Sequence, residues 1–146
     1  MSLQSVQETT GYLLVQICRA HRSLAESELE KIGLHAGQEM FLLQLADQQG
    51  QAQSQLAEQM CIQPPTLNKM LSRMESSGLV ERRTDSEDNR VSRVYLTEKS
   101  AELPESIEQI WITLEQRTFA SFTLDERVLL RRLLLQIITN LNTEGA

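Results

Sequence analysis

The sequence predicts a mainly α-helical fold with one small β-hairpin, and three observations predict it. Apolar residues recur at helical spacing through most of the chain. Between Gly78 and Thr97 the period shortens to two, with β-branched and aromatic residues returning after a charged reversal. At 146 residues, 40% of them hydrophobic and 23% charged, the chain has the size and composition of one soluble globular domain with a proper core.

From Gln4 to about Ile32 there is no proline and one glycine, and Leu13, Ile17, Ala20 and Leu24 form a stripe at i, i+4, i+7 and i+11. This predicts one long helix that Gly33 ends. A second helix, from about Ala36 to Gln48, carries Met40, Phe41, Leu42, Leu43, Leu45 and Ala46, so it should be buried on several sides. Ser54 can cap a shorter helix that buries Leu56, Ala57 and Met60, leaving Cys61-Ile62-Gln63 as a turn. Pro64 and Pro65 suit a first helical turn, where an amide hydrogen would have no partner. Leu67, Met70, Leu71 and Met74 then make one buried face, and Gly78 can close the helix in the left-handed conformation. Two helices joined by so short a turn must cross, which leaves the second free to enter a groove.

Leu79 and Val80 lead into a strand through Glu81-Arg82-Arg83, residues 85 to 89 reverse the chain, and Val91 to Leu96 return. An isolated hairpin is marginal, so this one must pack on the helices with its tip in water. Thr97 is an N-cap candidate for a fifth helix, which Pro104 should kink or delay. Ile107, Ile110, Trp111 and Leu114 give that helix an apolar face, prolonged by Phe119 and Phe122. Thr123-Leu124-Asp125-Glu126 reads as a capping box for a last helix reaching about Asn142. Its apolar positions Leu130, Leu133, Leu134, Ile137, Ile138 and Leu141 exceed what one face needs against a small monomer core.

The formal charge is −6, which argues at first sight against nucleic acid, since affinity for DNA comes largely from neutralising phosphates. Its distribution matters more. Between Pro64 and Tyr95, Lys69, Arg73, Arg82, Arg83, Arg90 and Arg93 face Glu75, Glu81, Asp85, Glu87 and Asp88, a local balance of +1, while the remainder of the chain holds −7. No apolar run approaches the roughly 18 residues of a membrane span, and the N-terminus has no leader pattern, so a cytoplasmic protein without membrane partners is expected. Cys18 and Cys61 make neither a metal spacing nor a disulfide framework, and His21 and His35 lack a completing Cys, Asp or Glu cluster. No metal or cofactor is expected. Without a glycine-rich phosphate loop, a nucleophile elbow or a metal triad, no catalytic residues are assigned.

Two short helices followed by a charged hairpin make a winged helix-turn-helix. The runs Pro65-Thr66-Leu67-Asn68-Lys69 and Met74-Glu75-Ser76-Ser77-Gly78-Leu79-Val80-Glu81-Arg82, with Asp88-Asn89-Arg90 and Val94-Tyr95-Leu96-Thr97, resemble the MarR family of bacterial transcriptional regulators. The acidic residue, gap, arginine and apolar strand ending in Leu-Thr follow the family pattern. More loosely, the flanking helices follow it in number, order and length. At Asn68 and Lys69 many members have a hydroxyl residue followed by arginine, which leaves the base preference open.

The expected architecture is therefore a winged helix-turn-helix DNA-binding region over residues 35–97, with residues 1–34 and 98–146 as a helical dimerisation region intertwined with it in one domain. A homodimer would set two recognition helices roughly 34 Å apart, matching successive major grooves on a pseudo-palindromic operator in double-stranded DNA. The alternative for the flanking helices is a monomeric bundle. At the recognition helix, Pro64, Pro65 and Thr66 favour a phosphate at its N-terminus. Asn68 suits adenine and Lys69 suits guanine, while Ser72 and Arg73 lie a turn further on, nearer the backbone. Arg73 also reads as a solvated charge paired with a glutamate. Ser54 joins this set from the preceding helix.

The resemblance implies that Arg90 enters the minor groove and that Asp88 holds an arginine of the wing, with Arg83 as the expected partner. Arg93 completes the DNA face, and Arg82 stands between a DNA contact and a solvated charge. Repression is expected because a dimer covering a promoter excludes polymerase, and the resemblance also implies release by a small aromatic or anionic effector in a crevice lined by Cys18, His21, Arg22, His35 and Trp111. Cys18 has a redox reading by the same resemblance, since Arg19, His21 and Arg22 are near it. Burial as a small apolar residue is the preferred reading for it, and core packing is expected for Cys61. The competing function is a winged-helix module that binds protein without binding DNA. That module would need apolar residues on the face that here holds Thr66, Asn68, Lys69, Ser72 and Arg73.

Overall fold

The computed structural model describes residues 3–143. Its first two helices are α1, Leu3–Gln7, and α2, Thr10–Glu30, where one continuous helix was expected. The break is chemical. Thr9 has an extended backbone, φ −81° and ψ 149°, and its hydroxyl donates to the Val6 carbonyl at 2.7 Å while accepting the Tyr12 N–H at 3.2 Å. That closes one helix and caps the next. After Gly33 the chain enters α3, Gln38–Asp47, two residues later than expected. Gln38 and Glu39 are buried because they serve the helix entry, accepting the N–H groups of His35 and Gly37 at 3.0 and 2.7 Å. Phe41, Leu42 and Leu45 are buried, whereas Met40 and Ala46 are exposed, so α3 is covered on fewer sides than its composition suggested.

A two-residue strand, β1 at Gln51–Ala52, precedes α4 at Gln53–Gln59. Ala52 occupies the N-cap without a side-chain bond, so Ser54 lies inside the first turn and is not the cap. Pro64 and Pro65 open α5, Pro64–Ser76, which buries Leu67, Leu71 and Met74. Gly78 ends it at φ +74°, with the Leu79 N–H reaching the Met74 carbonyl at 2.9 Å, the left-handed closure that a residue with a Cβ resists.

The hairpin consists of β2, Val80–Thr84, and β3, Ser92–Leu96, antiparallel from Val80↔Leu96 to Thr84↔Ser92. β1 pairs with the other side of β3, giving the order β1-β3-β2. Thr97 does not cap the next helix. Its hydroxyl donates to the Gly78 carbonyl, and the buried Ser100 hydroxyl donates to the Leu79 carbonyl at 2.6 Å, so this turn fastens the far end of the hairpin to the end of α5. Pro104 occupies the first turn of α6, Leu103–Thr118, and accounts for its late start. α7 spans Leu124–Asn142 behind the expected capping box: the Glu126 N–H reaches the Thr123 hydroxyl at 3.2 Å, and the Thr123 N–H reaches the Glu126 carboxylate at 2.8 Å.

The chain divides into two compact units at Ile112–Thr113, within α6. In the first, Leu29, Phe41, Leu42, Leu45, Leu56, Leu67, Leu71, Met74, Val80, Val94 and Ile107 make one continuous core. The second contains the end of α6 and α7, joined by Arg127 donating to Glu115 at 2.7 Å with its guanidinium 5.6 Å from the Phe119 ring centroid. Leu124, Val128, Leu129, Leu133, Leu134, Leu135, Ile138 and Leu141 of α7 are all exposed.

Candidate nucleic-acid interface

Burying Leu67, Leu71 and Met74 sends the intervening residues of α5 outward. Pro64, Pro65, Thr66, Asn68, Lys69 and Arg73 are exposed and Ser72 is half-buried, while Ser54 is exposed on α4. Among the described residues no carboxylate pairs with Lys69 or Arg73, so the glutamate-paired reading of Arg73 is not realised.

Arg82 joins the hairpin to this face. Val80 is buried, and the period of two carries Arg82 to the same side of the strand, toward α5. Its Nη1 donates to Asn68 Oδ1 at 2.7 Å and its Nη2 to Ser72 Oγ at 3.0 Å and Glu75 Oε1 at 3.2 Å. The guanidinium holds the Glu75 carboxyl below its ordinary range. Sequence reasoning left Arg82 undecided, although strand alternation counted from Val80 carried the signal.

On the opposite side of the strand, Glu81 takes both Nε and Nη2 of Arg83 at 3.0 and 3.1 Å, and the Arg83 guanidinium stands 4.5 Å from the Tyr95 ring centroid. Arg83 is thus not the partner of Asp88, contrary to expectation. Asp88 instead accepts from Arg90, from Nε to Oδ1 at 3.1 Å and from Nη2 to Oδ2 at 3.2 Å, with the Arg90 N–H also on Oδ1 at 3.0 Å. Two residues separate partners here, against five in the expected pair, so the bond forms within one turn. The Arg90 side chain remains 90% exposed at the wing tip.

Asp85 braces the turn of the wing. Its Oδ2 accepts the N–H groups of Glu87 and Asp88 at 3.1 and 3.0 Å, and its Oδ1 accepts Arg93 Nε at 2.6 Å. Arg93 Nη1 continues to the Gly50 carbonyl at 2.9 Å. Arg93, expected on the DNA face, is tied to the hairpin turn at Asp85 and to Gly50, the residue before β1. Hydrogen bonds from Arg93 and from the turn amides lower the Asp85 carboxyl, and the Arg90 guanidinium lowers that of Asp88.

Of the expected effector residues, His21, Arg22 and Trp111 come together around a cavity of about 300 Å³, with Ala25, Ala36, Gly37 and Glu39. The His21 and Trp111 ring centroids are 5.8 Å apart. Cys18 and His35 are not among the lining residues. Cys18 and Cys61 are both exposed, which corrects the expectation of burial. Cys61 carries φ +54° in the turn before α5. Among the described residues no group of three His, Cys, Asp or Glu could hold a metal, and no helix is long and apolar enough to cross a membrane.

Residues 34–92 match the model of the MarR family. Among solved structures, the chain resembles a crystal structure of MarR at 28% identity, covering 99% of this chain and 97% of that one with a TM-score of 0.76. It resembles a cysteine-to-serine mutant of MarR from E. coli complexed with operator DNA at 25% identity, covering 94% and 99%, with a TM-score of 0.82. The MepR–DNA complex of S. aureus shares its fold at 24% identity, covering 90% and 98%, with a TM-score of 0.83.

Proposed function

From the premise that residues 34–92 form a MarR-family winged helix-turn-helix, we propose that this chain is a transcriptional repressor that binds a pseudo-palindromic operator as a homodimer. One observation carries the reading: an outward helical face of Thr66, Asn68, Lys69 and Arg73 stands beside a wing whose tip arginine, Arg90, is almost wholly exposed. Polar donors on a free helix match base edges and phosphates in the major groove. A tip guanidinium matches the negative potential of a narrow minor groove.

Pro64 to Thr66, at the N-terminus of α5, meet a phosphate, as does Arg73. Lys69 reaches a guanine edge. Asp88 and Arg83 hold the wing rather than touching bases. Dimerisation supplies what the acidic chain lacks in affinity per subunit, by coupling two binding events. The exposed apolar residues of α7 support a second copy as their cover. A dimer over a promoter excludes polymerase by bulk, which is the route to repression, and access to DNA places the protein in the cytoplasm.

An aromatic or anionic effector fits the cavity beside Trp111 and Arg22, which offer a ring to stack on and a cation. It would release DNA only by preferring the form that cannot bind.

Selection of bound sequences from a random duplex pool at near-physiological salt tests the proposal. A twofold-symmetric consensus is expected. Failure to enrich any sequence would leave the winged-helix protein-binding module as the better reading.

A further inference from the structure

Asn68 is the residue of α5 whose bonding is already half spent. Its Oδ1 accepts Arg82 Nη1 at 2.7 Å and, more weakly, Gln53 Nε2 at 3.5 Å, which between them occupy both of its lone pairs. Guanidinium nitrogens are donors without acceptor capacity, so the atom facing Arg82 at this distance must be the carbonyl oxygen and not the amide nitrogen. The orientation of the carboxamide is thereby fixed, and its two Nδ2 hydrogens are left for an incoming ligand.

A bidentate contact to adenine needs both halves of an asparagine amide, the oxygen accepting from N6 and the nitrogen donating to N7. Guanine needs only donors, for O6 and N7. We infer that Arg82 is a positioning residue that converts Asn68 into a donor-only reader, so that the operator position under Asn68 is a G·C pair and not the A·T pair that an unconstrained asparagine favours. This rests on the DNA-binding reading above.

Glu75 secures the arrangement from behind. Its Oε2 takes the Arg82 N–H at 3.2 Å and Nε at 3.4 Å, and its Oε1 takes Nη2. With Ser72 Oγ on Nη2 as well, the guanidinium is held beside Asn68 by three residues of one helix face.

Sequence selection from a random duplex pool, run on the wild type and on Asn68→Ala, Asn68→Asp and Arg82→Ala, tests the inference. Asn68→Ala marks the position it reads as the one whose preference collapses. There the wild type should favour G·C over A·T by about tenfold, the discrimination that a good base-edge contact gives. Asn68→Asp keeps the oxygen for Arg82 but has no donors, and should lose the G·C preference. Arg82→Ala frees the carboxamide to rotate and should move the same position toward A·T, a change of base identity that mere loosening of the hairpin would not produce. An A·T pair there in the wild type, no position that responds to Asn68→Ala, or an unchanged G·C preference in Arg82→Ala overturns the inference while leaving DNA binding intact. Absence of any enriched sequence with the wild type overturns the DNA-binding reading and this inference with it.

Discussion

Arg93 Nε donates to Asp85 Oδ1 at 2.6 Å, and this bond ties the turn of the wing to the strand that leads back into the core. Arg93 also grips the Gly50 carbonyl, so the wing is braced against β1, which lies outside the hairpin. The guanidinium and the turn amides lower the Asp85 carboxyl. A carboxyl lowered on folding adds stability above its unfolded value of about 3.9 and loses that contribution as the pH falls through the folded value. Asp85→Asn should therefore be less stable than the wild type near neutrality, with the gap closing below about pH 4. Thermal melts of both proteins over a pH series check this, and a gap independent of pH would contradict it.

Gly50 has φ +76°, and a Cβ added there would stand 2.9 Å from Tyr95 Cε1. Gly33 has nearly the same backbone, φ +78°, but open space around it. Both substitutions to alanine incur the left-handed penalty of about 1 to 2 kcal/mol. Gly50→Ala should cost a further 1 kcal/mol or so, because Tyr95 must move within a packed sheet. Denaturant titrations of the two variants, compared at equal slope, measure the difference.

The apolar face of α7 is exposed in a single chain, Ile138 at 53%. A glutamate there should be nearly harmless to a monomer and disruptive at a subunit interface, where an unpaired charge loses its water. Ile138→Glu is expected to weaken self-association at least tenfold in sedimentation equilibrium while leaving the circular dichroism of the monomer unchanged. If it associates as tightly as the wild type, α7 is not the dimer face.

Features set by neighbouring residues were legible in the sequence: the prolines opening α5, the Gly78 closure, the hairpin and the Thr123–Glu126 box. So were the residues facing out from α5, since the helical period decides them. Pairings across elements were not legible, because spacing does not reveal which arginine meets which carboxylate. Asp88 was expected to hold Arg83 and holds Arg90, while Arg93 was occupied by Asp85 and Gly50. β1 has no sequence signal, because two residues carry no periodicity and exist as a strand only through pairing with Val94 and Arg93. The break at Thr9 has a local signal, a capping hydroxyl, which the longer apolar stripe around it masks.

DNA affinity of the wild type and Arg90→Ala, measured on an enriched duplex over a salt series, tests the central claim most directly. With roughly six to eight phosphates neutralised per dimer, the wild type should show a slope of log affinity against log salt of about −5 to −7. Losing one tip arginine per subunit should weaken binding and make the slope shallower by about 2. A folded Arg90→Ala protein with unchanged affinity and slope would contradict the placement of the wing on DNA.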